Sequence, residues 1–220
     1  MVLLCPTANG LCKLLTICDE YAAEHGLVYN VKKSEMIVFR ARGKKPLDGP
    51  PVTLMGTKLK SVSQFKYLGH IVTADLLDNC EFERERRALA VRCNMLARRF
   101  ARCTKEVKIT LFKAFCQTFY TCSLWRSYSQ RTYNALRVQY NNAFRMLMGL
   151  PRFCSASTMF AQAGVDDFYA IIRKRTASML DRVRRSVNSI LVAIKDRPSC
   201  SLFRHWIHLH VLGAKNQFFQ

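Results

Sequence analysis

Past Asp75 the hydrophobic pattern changes period and does not change back. Before it, short apolar runs are broken by glycine and proline. After it, apolar residues recur every three or four positions, the repeat that puts side chains on one face of a helix. About two thirds of the 220 residues therefore read as helical, preceded by a smaller mixed segment. The expected class is α+β: a small part with a few antiparallel strands and one or two helices, then a mostly α-helical region.

In the mixed segment, residues 1–5 are an apolar run of strand length. Asn9 caps a predicted helix over 9–25 whose stripe is Leu11, Leu14, Leu15, Cys18 and Ala22, with Gly26 as its stop. Residues 36–39 form a second strand candidate, and 41–51 a basic loop rich in glycine and proline. Met55-Gly56-Thr57 joins two short runs as a hairpin turn. Residues 64–73 form a further strand candidate, interrupted at Gly69.

The clearest helix covers 81–103, with Leu89, Cys93, Leu96, Phe100 and Cys103 on one stripe. Arg84, Arg87, Arg98, Arg99 and Arg102 fall on the opposite face and Arg92 at its edge. Further helices are predicted over 105–124, with Leu111, Phe115, Phe119 and Cys122 inward, and 131–148, with Leu136, Tyr140, Phe144 and Leu147 inward. Gly149 and Pro151 end the latter. A short helix over 155–164 precedes a long one over 166–194, whose stripe includes Val187, Ile190 and Ile194.

Charge narrows the function classes. Lys plus Arg number 35 against 15 Asp plus Glu, a net +20. Repulsion on that scale calls for a polyanion, nucleic acid first and an anionic membrane surface second. Guanidinium groups along one helical flank suit phosphate oxygens, and would position a backbone without reading sequence. No apolar run reaches the 18 residues of a spanning helix, and the N-terminus lacks the basic flank of a signal peptide. Ten cysteines in a core-rich chain read as reduced thiols of an intracellular protein, in nucleus or cytoplasm.

Catalytic signatures are sparse. Cys200, His205, His208 and His210 cluster, but no second cysteine stands at zinc-site spacing. Asp166-Asp167 is explained by a helix cap and a first-turn acid. The phosphate-loop, nucleophile-elbow and zinc-protease patterns do not occur.

One ordered series of short motifs is more informative. Asn30-x-x-Lys33-Ser34, followed by Met36 and Phe39, stands about 25 residues before Tyr67-Leu68-Gly69. Downstream come Leu111-Phe112-Lys113, Phe119-Tyr120-Thr121-Cys122, Leu124-Trp125, Tyr140 through Arg145 and Leu150-Pro151-Arg152. In order and spacing these resemble the reverse transcriptases of non-LTR (LINE-type) retrotransposons, from the end of the palm onward. The resemblance implies a palm remnant over 1–75, a thumb-like helical region over 76–150 and a C-terminal helical region over 151–220. It implies that Lys33 faces the incoming nucleotide's phosphates and that Tyr67, Leu68 and Gly69 hold the primer. The family's aromatic-Ala-Asp-Asp turn would precede Met1, so no position here matches its catalytic aspartates. The Mg²⁺ they would hold belongs to the full-length enzyme, and no cofactor is expected for this chain. Implied partners are RNA, DNA and the missing N-terminal part of the polymerase, with no membrane. The alternative expectation is an element-derived basic helical interaction protein without enzymatic role. A remnant sheet with exposed edges predicts marginal folding.

Overall fold

The computed structural model describes residues 1–39, 51–197 and 199–211. About 59% of the chain is helical, and the few strands lie in small ladders, so the class is α+β. The chain forms two compact units, Met1–Leu77 and Asp78–Gln220.

The first unit is organised by α1, Ala8–Glu24. Its N-cap is Thr7 rather than Asn9: Thr7 is extended and its hydroxyl accepts from Gly10 N at 3.1 Å. The helix ends at Glu24 and is followed by Gly26, with φ +62°, where a glycine carries no Cβ penalty. Leu15 of α1 joins Met36, Val52, Leu54 and Leu59 in a small core, with Leu3, Leu11, Tyr29, Val31 and Val38 around it.

Among the described residues the strands form three separate pairs. Strand β1 (Glu35–Met36) pairs in parallel with β4 (Lys60–Ser61), β2 (Thr53–Leu54) antiparallel with β3 (Thr57–Lys58), and β5 (Gln64–Tyr67) antiparallel with β6 (His70–Thr73). The β1–β4 pair departs from the antiparallel expectation. Residues 1–5 are not a strand: Met1 and Leu4 are largely exposed, and Leu3 alone turns onto the core. Among the described residues no strand lies beside this run to take its backbone hydrogen bonds. The predicted strand over 36–39 is shorter, and β1 ends at Met36. Both hairpin tips carry two residues at positive φ, Met55-Gly56 and Leu68-Gly69. This is the turn whose twist matches the flanking strands. The basic loop 41–51 lies outside the described residues, apart from Pro51.

The second unit contains α2 (Asn79–Arg99), α3 (Lys105–Cys116), α4 (Gln130–Met148), α5 (Ala156–Gln162), α6 (Phe168–Arg185), α7 (Ser189–Lys195) and α8 (Ser201–Val211). Leu89, Cys93 and Leu96 of α2 and Leu136, Tyr140, Phe144 and Leu147 of α4 are buried together, as their spacing predicts. The core continues across residue 150 without a break into Met159, Phe160, Phe168, Ile171 and Ile172.

Two helices are shorter than their periodicity suggests. Helix α3 ends at Cys116, not at 124, because the Gln117 amide donates to the Tyr140 hydroxyl (3.0 Å) and the Asp166 carbonyl (3.3 Å). Its inward residues are Phe112 and Cys116, and Phe115 is 44% exposed. The predicted helix over 166–194 breaks after Arg185. Asn188 caps α7 by accepting from Ile190 N (3.0 Å), which leaves Val187 and Ile190 facing solvent. Helix α8 docks on the unit: Trp206 Nε1 donates to the Ser123 carbonyl (2.6 Å), and Leu209 enters the core. The chain beyond Val211 lies outside the described residues.

The chain direction in the core positions the site. At one end Asn79 Oδ1 accepts from Ser129 N and Thr132 Oγ1, both at 2.8 Å. Further along, Cys93 Sγ donates to the Ala143 carbonyl at 3.0 Å. Helices α2 and α4 therefore run parallel, and their C-terminal turns are level. Helix α3 runs back: Gln117 meets Tyr140, and Phe112 meets Phe144 with ring centroids 4.9 Å apart. Its N-terminus returns to the same end.

Candidate nucleic-acid interface

The charge is concentrated in the helical unit, where 25 Lys plus Arg stand against nine Asp plus Glu. Helix α2 divides its arginines into two groups. In its first half three glutamates take up the positive charge. Glu81, fully buried, accepts from Arg84 Nε (2.8 Å) and from Thr121 Oγ1 (2.9 Å). Glu85 accepts from Arg84 (3.1 Å) and Arg92 (2.5 Å). Glu83 pairs with Arg86 (2.7 Å) and Arg87 (2.8 Å), and these hydrogen bonds hold its carboxyl well down, at about 2. Arg84, Arg87 and Arg92, expected as phosphate contacts, are each ion-paired within the helix, Arg87 through a glutamate it shares with Arg86 and with its side chain still 73% exposed. Arg84 and Arg92 belong to a buried network.

The last turn of α2 and the turn that follows it have no such partners. Arg98, Arg99 and Arg102 are exposed and make no ion pair among the described residues. The turn leads into α3, which brings Lys105 and Lys108 to the same end. The acid beside them, Glu106, is occupied: its own backbone N–H and then Thr104 hold its carboxyl below the usual range. The turn after α4 adds exposed Arg152 at this end, next to Phe153. Six cations, Lys108 half-buried and the others exposed, thus lie at the end of the unit where two helices end and one begins. Lysine and arginine at helix C-termini also complement the dipole there.

Lys105, Lys108, Arg152 and Phe153 escaped the sequence reading. A helix stop at Gly149-Pro151 and a basic run at 98–108 are visible in the sequence, but their common end depends on the parallel packing of α2 and α4.

The remaining candidates belong to the first unit. Lys33 is exposed in a single helical turn, Val31–Lys33, capped by Asn30 Oδ1 at 3.2 Å. Tyr67, Leu68 and Gly69 form the exposed tip of the β5–β6 hairpin. Leu68 adopts φ +46°, which a bulky residue rarely takes.

Other chemistry-bearing residues are engaged in structure. Asp166 is held by Lys174 at 2.6–2.7 Å, and Asp167, not Asp166, caps α6 through Ala170 N at 2.7 Å. His205 Nε2 donates to the Trp125 carbonyl at 2.8 Å. Among the described residues no three His, Cys, Asp or Glu side chains gather as a metal site. Burial pushes the Cys93 thiol up to about 11 and those of Cys116 and Cys122 to about 12, which makes them inert. No helix of the described residues is long and apolar enough to cross a membrane.

No family model, no curated protein and no solved structure matches the chain.

Proposed function

We propose that this chain binds nucleic acid by its phosphate backbone, through the basic end of its helical unit. The observation that carries this reading is the position of Arg98, Arg99, Arg102, Lys105, Lys108 and Arg152 at one end of the helical unit. Guanidinium and ammonium groups so placed hold phosphates as point charges and planar forks, without base recognition. The motif series resembling non-LTR reverse transcriptases supports the same partner. On that reading the chain is part of an RNA-directed DNA polymerase, and this end holds a strand. Lys33 and the Tyr67-Leu68-Gly69 tip would be its nucleotide- and primer-facing elements. Ten unpaired thiols fit a reducing compartment, nucleus or cytoplasm.

Fluorescence anisotropy with labelled RNA and DNA over a salt series tests the proposal. Affinity is expected to fall steeply with salt, because each phosphate contact releases a counterion. An affinity that stays level from low to moderate salt would exclude backbone contacts.

A second reading, a helical module that docks on a protein, draws on Val187 and Ile190, which are 96% and 70% exposed at the α6–α7 break. Replacing Arg98, Arg99 and Arg102 by alanine separates the two. Nucleic-acid binding collapses under the first reading, and partner binding survives under the second.

A further inference from the structure

We infer that Phe153 is a stacking platform for an unpaired nucleobase, so that the strand this end takes is single. The inference rests on the reading that the basic end binds nucleic acid, and it names the form of that nucleic acid.

Phe153 is 92% exposed, yet it does not stand on a loose loop. Gly149, at φ +67°, lets the chain leave α4 in the left-handed region, with Leu150 N bonded to the Arg145 carbonyl at 2.8 Å. Pro151 has a fixed φ, and its carbonyl accepts from Cys154 N at 3.0 Å. Arg145 then clamps the far side: its Nε and a terminal nitrogen donate to the Cys154 carbonyl at 3.1 and 2.8 Å. Its other terminal nitrogen donates to Asn142 Oδ1 at 3.0 Å. Two hydrogen bonds to one carbonyl, a proline and a helix cap fix the turn whose tip is Phe153. The phenyl ring is therefore displayed from a rigid support, with its faces open and Arg152 beside it.

The position gives the display a use. Cys93 and Ala143 are in contact across the parallel helices. Six residues further on, about 9 Å along each axis, stand Arg99 and Gly149. The aromatic tip and the basic turn thus share one end of the unit. A ring alone would suit many apolar partners. A ring beside six cations suits a strand whose phosphates meet the charges while one base covers the ring. Bases inside a duplex are paired and stacked, and offer no free face.

The test uses the full chain and four labelled 20-mers: single-stranded RNA, single-stranded DNA, a closed hairpin duplex, and a single strand with abasic sites throughout. F153A is expected to weaken binding to both normal single strands on the order of tenfold, the usual loss for one stacked base. Binding to the duplex and the abasic strand stays within about twofold, the range left when backbone contacts are untouched. F153W restores affinity, and its added emission is quenched by the normal strands and not by the abasic one. Far-UV circular dichroism of F153A matches the unmodified chain, since the side chain is exposed. Equal losses on all four probes, or no loss on any, overturn the inference while leaving the basic end intact. Failure of the unmodified chain to bind any probe would instead sink the parent reading.

Discussion

Converting Glu81 to Gln tests whether the first half of α2 is structural rather than ligand-facing. Glu81, Arg84, Glu85 and Arg92 form a formally neutral quartet around the buried side of the helix. Glu81 and Glu85 are almost wholly inaccessible, whereas Arg84 and Arg92 keep 29% and 26% side-chain exposure. An amide in place of the carboxylate keeps the volume but leaves the quartet with one excess positive charge and sets an N–H₂ group against the Arg84 guanidinium. Removing one partner of a buried pair costs about 3–5 kcal/mol. Arg84 retains Glu85 at 3.1 Å and partial access to water, so the lower end applies, about 3 kcal/mol. Trp125 and Trp206, the two tryptophans, both lie in the helical unit, so urea unfolding followed by their emission reads this unit alone. With a slope of about 1–3 kcal/mol per molar, the midpoint should fall by at least about 1 M. Nucleic-acid affinity at low urea should be unchanged. E81L combined with R84M should recover part of the loss, because an apolar pair leaves fewer charges uncompensated. A midpoint for E81Q within about 0.3 M of the unmodified protein would refute the argument, since that is a small fraction of the expected shift.

Three other outcomes follow from the same geometry. Alanine at Arg98, Arg99 and Arg102 should lower the slope of log affinity against log salt by about 2, roughly 0.7 per single-strand phosphate, with little change in melting temperature; an unchanged slope would place the contacts elsewhere. Far-UV circular dichroism should register an early loss that tryptophan emission does not, because the first unit has a five-residue buried core and ladders of two to four residue pairs; coincident curves would show one cooperative unit. Burial, followed by Arg126 and His208, lowers the His205 value against the opposing bond to the Trp125 carbonyl. The unfolded chain then binds more protons, so this contribution is complete above about pH 6.5 and is lost as pH falls below it. Melting temperature should drop on acidification through that range, and H205Q should flatten the drop; an identical profile in H205Q would disprove the link.

Much of the helical unit was legible in the sequence. The stripe Leu89, Cys93 and Leu96 and the stripe Leu136, Tyr140, Phe144 and Leu147 are all buried, because a helix has one period and a core accepts one face. The Gly149 stop and the hairpin glycine Gly56 were equally plain, since positive φ favours residues without a Cβ, whereas Gly69, at a second hairpin tip, read only as an interruption of one strand. Periodicity misled where a side chain competed with the helix. Gln117 and Asn188 end the regular pattern through hydrogen bonds, to residues distant in sequence for Gln117 and within its own turn for Asn188.

What the sequence by itself determined is local: which segments coil into helices, where they are capped, and that the chain carries a large positive charge. What only the tertiary structure decided is which of those charges remain available. Arg92 reaches Glu85 across nearly two turns, and Thr121, forty residues away, helps bury Glu81. The end where Arg98, Arg99, Arg102, Lys105, Lys108 and Arg152 meet exists because α2 and α4 lie parallel and α3 returns between their contacts. A hydrophobic stripe specifies the face that is buried, but it leaves open the direction in which the neighbouring helix runs, and that direction set which cations share a surface.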